Sequence, residues 1–138
     1  MNRPNKVKLL VVLESIVAAF LVGGGAAILS LAGISVMTLL LGGVHVILGL
    51  IAFPAAYGLW AVKRWAWWFT LILNIVSISW SAAQEYTILT TISDMRITAG
   101  SFYGTIVFTL VSLAIIYYLI RPNVKAFYGG APTTYTKQ

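Results

Sequence analysis

The stretch "LWAVKRWAWWF" (residues 59–69) sets four of the chain's five tryptophans around its only adjacent Lys-Arg pair. The sequence on either side is apolar almost without interruption. Charges and indoles crowded together inside so greasy a chain read as a turn between two membrane spans. Tryptophan favours the membrane boundary, where its ring lies among acyl chains and its N–H reaches the headgroups. Trp60, Trp65, Trp67 and Trp68 are therefore expected to form an aromatic belt, with Lys63 and Arg64 holding the turn in the cytoplasm. A ligand-binding aromatic cage is the sharper alternative, but nothing in the sequence converges on it.

Composition agrees with that reading. The chain has 138 residues, 60% hydrophobic and 9% charged, with a mean hydropathy of +0.94. A soluble domain carries roughly 25% charged residues, so the outer solvent of this chain is expected to be largely lipid. There are no cysteines, which removes disulfides, thiolate metal sites and cysteine nucleophiles. The net charge of +6 comes from residues beside hydrophobic runs. Anionic headgroups and membrane orientation explain it better than nucleic acid, for which no basic stripe or motif is present.

Four windows are long enough to span, near 8–32, 36–62, 65–83 and 101–120. The expected fold is an all-α, antiparallel four-helix membrane bundle over residues 1–128, followed by a polar tail at 129–138. The first window mimics a secretory signal, yet it is too long for one and carries Glu14, so it reads as an anchor. Residues 33–35 ("GIS") supply a helix-ending glycine and a serine cap. Residues 84–100 are expected to be the one long connection, and Pro122 to end the fourth span. Arg3, Lys6, Lys8, Lys63, Arg64, Arg121, Lys125 and Lys137 fall on one side of this arrangement and only Arg96 on the other. That bias places both termini in the cytoplasm, with the plasma membrane as the expected location.

After the fourth span, Tyr117, Tyr118, Phe127 and Tyr128 repeat the aromatic belt beside Arg121 and Lys125. Val124, Phe127 and Tyr128 have the spacing of a short interfacial helical turn. With "GLWAVKRWAWWFTLILN", the ending "YYLIRPNVKAFYG" resembles many small uncharacterised four-span membrane proteins of archaea and bacteria, which also tend to end in an aromatic–Arg-Pro-x-Val-Lys pattern. The resemblance covers the last three spans loosely. It implies an integral four-helix membrane protein and carries over no catalytic residue.

Polar residues within spans turn toward protein, so their spacing marks inward faces. Thr70, Asn74, Ser77, Ser81 and Gln84 advance by 4, 3, 4 and 3. Thr38, Gly42, His45, Gly49, Ala52 and Ala56 continue the same rhythm on the second helix. This is the repeat of left-handed helix packing, written in small and polar residues. Ser101, Thr105 and Ser112 share a face of the fourth helix, with Thr109 at its edge, and Glu14, Ala18, Leu21, Gly25 and Ala32 share one on the first. Packing glue is the bland account of these stripes and a polar path the sharper one.

Glu14 and His45 are the ionisable residues well inside spans. Antiparallel placement separates them by about 15 Å along the membrane normal. Glu14 is expected to pair with Lys63, Arg64 or an N-terminal lysine, and His45 to be a neutral, hydrogen-bonded interior residue. Glu85, Asp94 and His45 tend toward the outer side and could form a weak cation site, though their spacing does not demand one. Pro54 is expected to kink the second helix. The two hairpins show no internal repeat of a duplicated transporter.

With one histidine, three carboxylates and no catalytic motif, the chain is not expected to be an enzyme. No cofactor or metal site is expected either. Two functions fit. The first is a non-catalytic accessory subunit of a larger membrane complex, such as a membrane oxidoreductase. The second is a small oligomeric transporter or channel for an ion or small solute. Glu14, His45, Asn74, Ser77 and Thr105 are the candidate interior or partner contacts. The partners expected are the lipid bilayer and other membrane subunits or further copies of the chain, with no nucleic acid.

Overall fold

A computed structural model describes residues 5–31, 36–91 and 95–129. Four long helices, α1 (Asn5–Leu31), α2 (Val36–Trp60), α3 (Arg64–Thr91) and α4 (Met95–Ile120), are followed by the short α5 (Pro122–Gly129). There is no strand among the described residues. Each long helix contains a stretch long and apolar enough to cross a bilayer, and the chain is a multi-pass membrane protein. Isoleucines and valines such as Ile47, Ile72, Ile75 and Val107 line the outer surface, where lipid replaces water.

The neighbouring pairs are α1–α2, α2–α3, α3–α4 and α1–α4. Helices α1 and α3 therefore face one another across a diagonal, as do α2 and α4. The closest pair is α1–α2, and glycines are the reason. A Cβ at Gly25 would lie 2.6 Å from the Gly42 carbonyl oxygen, and one at Gly49 would lie 2.8 Å from the Val22 amide nitrogen. Backbones can approach this closely only where no side chain intervenes. The inward stripe of α2 is as expected at Gly42, His45, Gly49, Ala52 and Ala56, which are all buried, while the Thr38 side chain lies outside what the structure describes. Helix α2 runs through Pro54 to Trp60.

The turn at the tryptophans is a Schellman closure. Lys63 N–H donates to the Gly58 carbonyl at 2.9 Å and Val62 N–H to that of Leu59 at 3.1 Å. Val62 takes the left-handed position, with φ 55°, that glycine normally fills in this motif. At the same end of the bundle, Trp67 donates its indole N–H to the Leu119 carbonyl at 2.9 Å, and Tyr128 donates its hydroxyl to that of Leu59 at 2.9 Å. Both acceptors lie in the last turn of a helix, where carbonyls lack intrahelical partners. Val7, Leu10, Leu59, Trp67, Ile115, Leu119, Val124 and Tyr128 pack around these bonds. Helix α5 starts at Pro122, whose missing N–H costs nothing at a first helical position. Its buried Val124 and Tyr128 dock it against the bundle.

Two boundaries differ from expectation. Helix α3 continues to Thr91 and α4 begins by Met95, so most of the supposed 84–100 connection is helical. Hydropathy locates where a helix meets lipid. It does not register that α3 keeps its buried face, through Gln84 and Glu85, past the most apolar window. At 28 residues, α3 is about 42 Å long, against about 30 Å of hydrocarbon. The expected 33–35 turn, Asp94 and the tail from residue 130 lie outside the described residues.

Candidate functional site: a polar centre on the bundle diagonal

Glu14 of α1 and Asn74 of α3 meet across the diagonal. Glu14 is 0% exposed and Asn74 1%. The Asn74 amide nitrogen donates to Glu14 Oε2 at 2.9 Å and to the Thr70 carbonyl at 3.0 Å. These two bonds use both amide hydrogens. The expected pairing of Glu14 with basic residues is not what the described residues show. Lys8, Lys63 and Arg64 are exposed, and ten residues, about 15 Å of helix, separate Arg64 from Asn74. Glu14 turns along the diagonal, to an amide at its own height.

The α3 stripe is buried along its whole length: Thr70, Asn74, Ser77, Ser81 and Gln84 are all inside. Ser112 of α4 joins it. The Trp67–Leu119 bond sets the register of α3 against α4. Seven residues along α3 from Trp67 is Asn74, and seven residues back along α4 from Leu119 is Ser112, so the two stand at one level. Leu119, Ile115, Ser112 and Phe108 form the buried face of α4.

Hydroxyls in this bundle behave in two ways. Ser15, Ser79, Thr87 and Thr90 donate back to the carbonyl four residues earlier, at 2.8–3.0 Å. That is the usual outlet for a hydroxyl on a membrane helix. Thr70 Oγ1, Ser77 Oγ and Ser112 Oγ make no hydrogen bond, and neither do Glu14 Oε1 and Asn74 Oδ1. Five buried oxygens from three helices thus have no hydrogen-bond partner among the described residues.

The remaining candidates separate. His45 of α2 meets Trp80 of α3, whose indole N–H lies 3.0 Å from Nδ1. On its other side His45 packs beside Gly25 of α1, eleven residues and about 16 Å beyond Glu14. Thr105 donates to Glu85 Oε2 at 3.1 Å. Beside that bond a groove of about 420 Å³ opens between α3 and α4, walled mainly by Tyr86, Leu89, Phe102 and Ile106. Asp94 of the suggested Glu85–Asp94–His45 cation site lies outside the described residues, which by themselves hold no cluster of three metal-ligating His, Asp or Glu side chains.

The anchors divide in an unexpected way. Trp60, Trp65 and Trp68 are exposed as a belt requires, but Trp67 is buried and belongs to the core. Its place in a run of belt residues concealed this. Lys63, Arg64 and Lys125 are exposed. Arg121 donates to the Tyr117 hydroxyl and lies 4.7 Å from that ring's centroid. The hydrogen bond raises its pKa further, so it is a permanent charge at the helix end.

Compared with known proteins, the chain matches no family model, no curated protein and no solved structure.

Proposed function

We propose that this chain is a small membrane transporter or channel that handles a cation or a proton at Glu14 and Asn74. The observation that carries the proposal is the carboxyl group buried on the bundle diagonal, held by one amide and no described basic residue. An ionisable side chain inside a membrane is expensive and reads as a functional site by default, ion and proton paths among the common uses. A carboxylate kept only for packing would gain more from a lysine or arginine at the helix ends. The buried stripe from Thr70 to Gln84 supplies polar groups over about 21 Å of the bundle's length. Both termini are placed in the cytoplasm on the charge count, in a plasma membrane. No catalysis and no nucleic-acid binding are proposed.

The test is flux in proteoliposomes. Wild type should show a proton or monovalent-cation flux that Glu14→Gln abolishes while remaining folded. The alternative proposal is the accessory subunit of a larger membrane complex. Absence of flux, together with stoichiometric foreign partners after purification in mild detergent, would decide for it.

A further inference from the structure

We infer that the corner between α4 and α5 is a binding site for one anionic phospholipid, its phosphate held by Arg121 and Lys125. The site is independent of any transport at Glu14. One turn of helix joins the two cations, since the Lys125 backbone N–H donates to the Arg121 carbonyl at 2.9 Å. Residues four apart share a helix face, and a helical side chain leans back toward the turn before it. The exposed Lys125 side chain therefore leans toward Arg121. The guanidinium is itself held in place. It donates to the Tyr117 hydroxyl and lies 4.7 Å from the Tyr117 ring centroid and 5.8 Å from that of Tyr118. That single bond leaves four of its five N–H donors without a partner among the described residues.

No described carboxyl neutralises the pair. Glu14 is buried against Asn74, and Glu85 bonds Thr105, sixteen residues and about 24 Å back along α4 from Arg121. A guanidinium fork matches two phosphate oxygens, and a neighbouring ammonium adds a point charge. The surface leading up to the fork selects the source of the phosphate. Val107, Leu110, Leu113 and Tyr117 are 49–61% exposed and advance by 3, 3 and 4 along the outer face of α4. They form a track that ends at the Tyr117 ring, against which the guanidinium lies. An acyl chain on that track brings its own phosphate to Arg121. Exposed Trp60, Trp65 and Trp68 mark the same end of the bundle as headgroup level. A free phosphate gains nothing from the track, and lipid already surrounds that face.

The test is thermal stability of the full-length protein in mild detergent as phosphatidylglycerol is added. Phosphatidylcholine with the same chains and inorganic phosphate serve as comparisons. Phosphatidylglycerol should raise the Tm by several degrees and the other two by much less, because a ligand that binds only the folded state stabilises it. The response should weaken severalfold in Lys125→Gln and vanish in Arg121→Gln with Lys125→Gln. Lys63→Gln with Arg64→Gln, which removes two exposed charges from the turn at the same end, should leave it intact. If Arg121→Gln fails to fold, Lys125→Gln decides. Equal shifts with the two lipids would overturn the inference, as would an unaltered response in Lys125→Gln. An equal loss in Lys63→Gln with Arg64→Gln would overturn it in favour of diffuse charge attraction. Inorganic phosphate matching the lipid would overturn it in favour of a free anion. A co-purifying acidic subunit that Lys125→Gln releases, with no lipid response, would overturn it in favour of a protein partner.

Discussion

Trp80 donates its indole N–H to His45 Nδ1 at 3.0 Å. Nδ1 also lies 3.1 Å from the Leu41 carbonyl oxygen. It cannot donate to one while accepting from the other, and an indole N–H can only donate. With its proton on Nδ1 the imidazole donates to Leu41; with it on Nε2 the ring accepts from Trp80 instead. The bond joins α2 to α3 at a level where α3 presents its polar face. A double-mutant cycle of His45→Phe and Trp80→Phe should return a coupling of about 0.6 kcal/mol, the average for interhelical bonds in membranes. Strictly additive losses in thermal unfolding would contradict the bond.

Asn74→Leu should destabilise the bundle by about 1–3 kcal/mol, because it leaves a buried carboxylate oxygen without its donor. Ile75→Ala, one residue away on the lipid side, should change stability by about 0.5 kcal/mol or less. Replacing both members of the pair, Glu14→Leu with Asn74→Leu, should recover much of the loss, since two apolar side chains leave nothing unsatisfied. Unfolding in a graded detergent series would rank the three.

The glycine run at 23–25 contains one packing residue. A Cβ at Gly25 would fall 2.6 Å from backbone, whereas one at Gly23 or Gly24 meets nothing within 4 Å. Gly25→Ala should cost about 1–3 kcal/mol by forcing α1 and α2 apart. Gly23→Ala should be neutral or gain up to about 1 kcal/mol from helix propensity. Equal thermal stability of the two variants would count against this close approach.

The chain's helices and their inward faces were legible in the sequence, because lipid makes polarity and small size the markers of burial. Thr70, Asn74, Ser77, Ser81 and Gln84 read correctly for that reason. What stands opposite a residue was not legible. The partner of Glu14 depends on which helices share a diagonal and on their relative heights, neither of which appears in one helix's periodicity. Trp67 and Leu71 show the same limit on the apolar side. Both look lipid-facing by composition, yet Trp67 is buried and Leu71 packs against the core. Greasiness cannot distinguish lipid from protein as a neighbour.

Orientation is open to direct measurement, since the chain lacks cysteine. Single cysteines at Asn5 and Thr134 should react from the cytoplasmic side and one at Ser93 only from the opposite side. Cytoplasmic labelling of Ser93→Cys would overturn the assignment that rests on the eight-to-one distribution of basic residues.

The indole and phenol that cap two helix ends also give the molecule a floor. Between Glu14 and the basic end lie Val7, Leu10, Trp67, Ile115, Leu119, Val124 and Tyr128, a packed apolar plug. Toward the other end the buried residues beyond Leu21 and Phe108 are Gly25, Gly42, His45, Ser81, Gln84 and Glu85. No large buried apolar side chain closes that half among the described residues. The two ends thus differ in kind: a dry stopper at the basic end and mostly small or polar buried residues at the far one, with Leu21 and Phe108 lying between Glu14 and that far end.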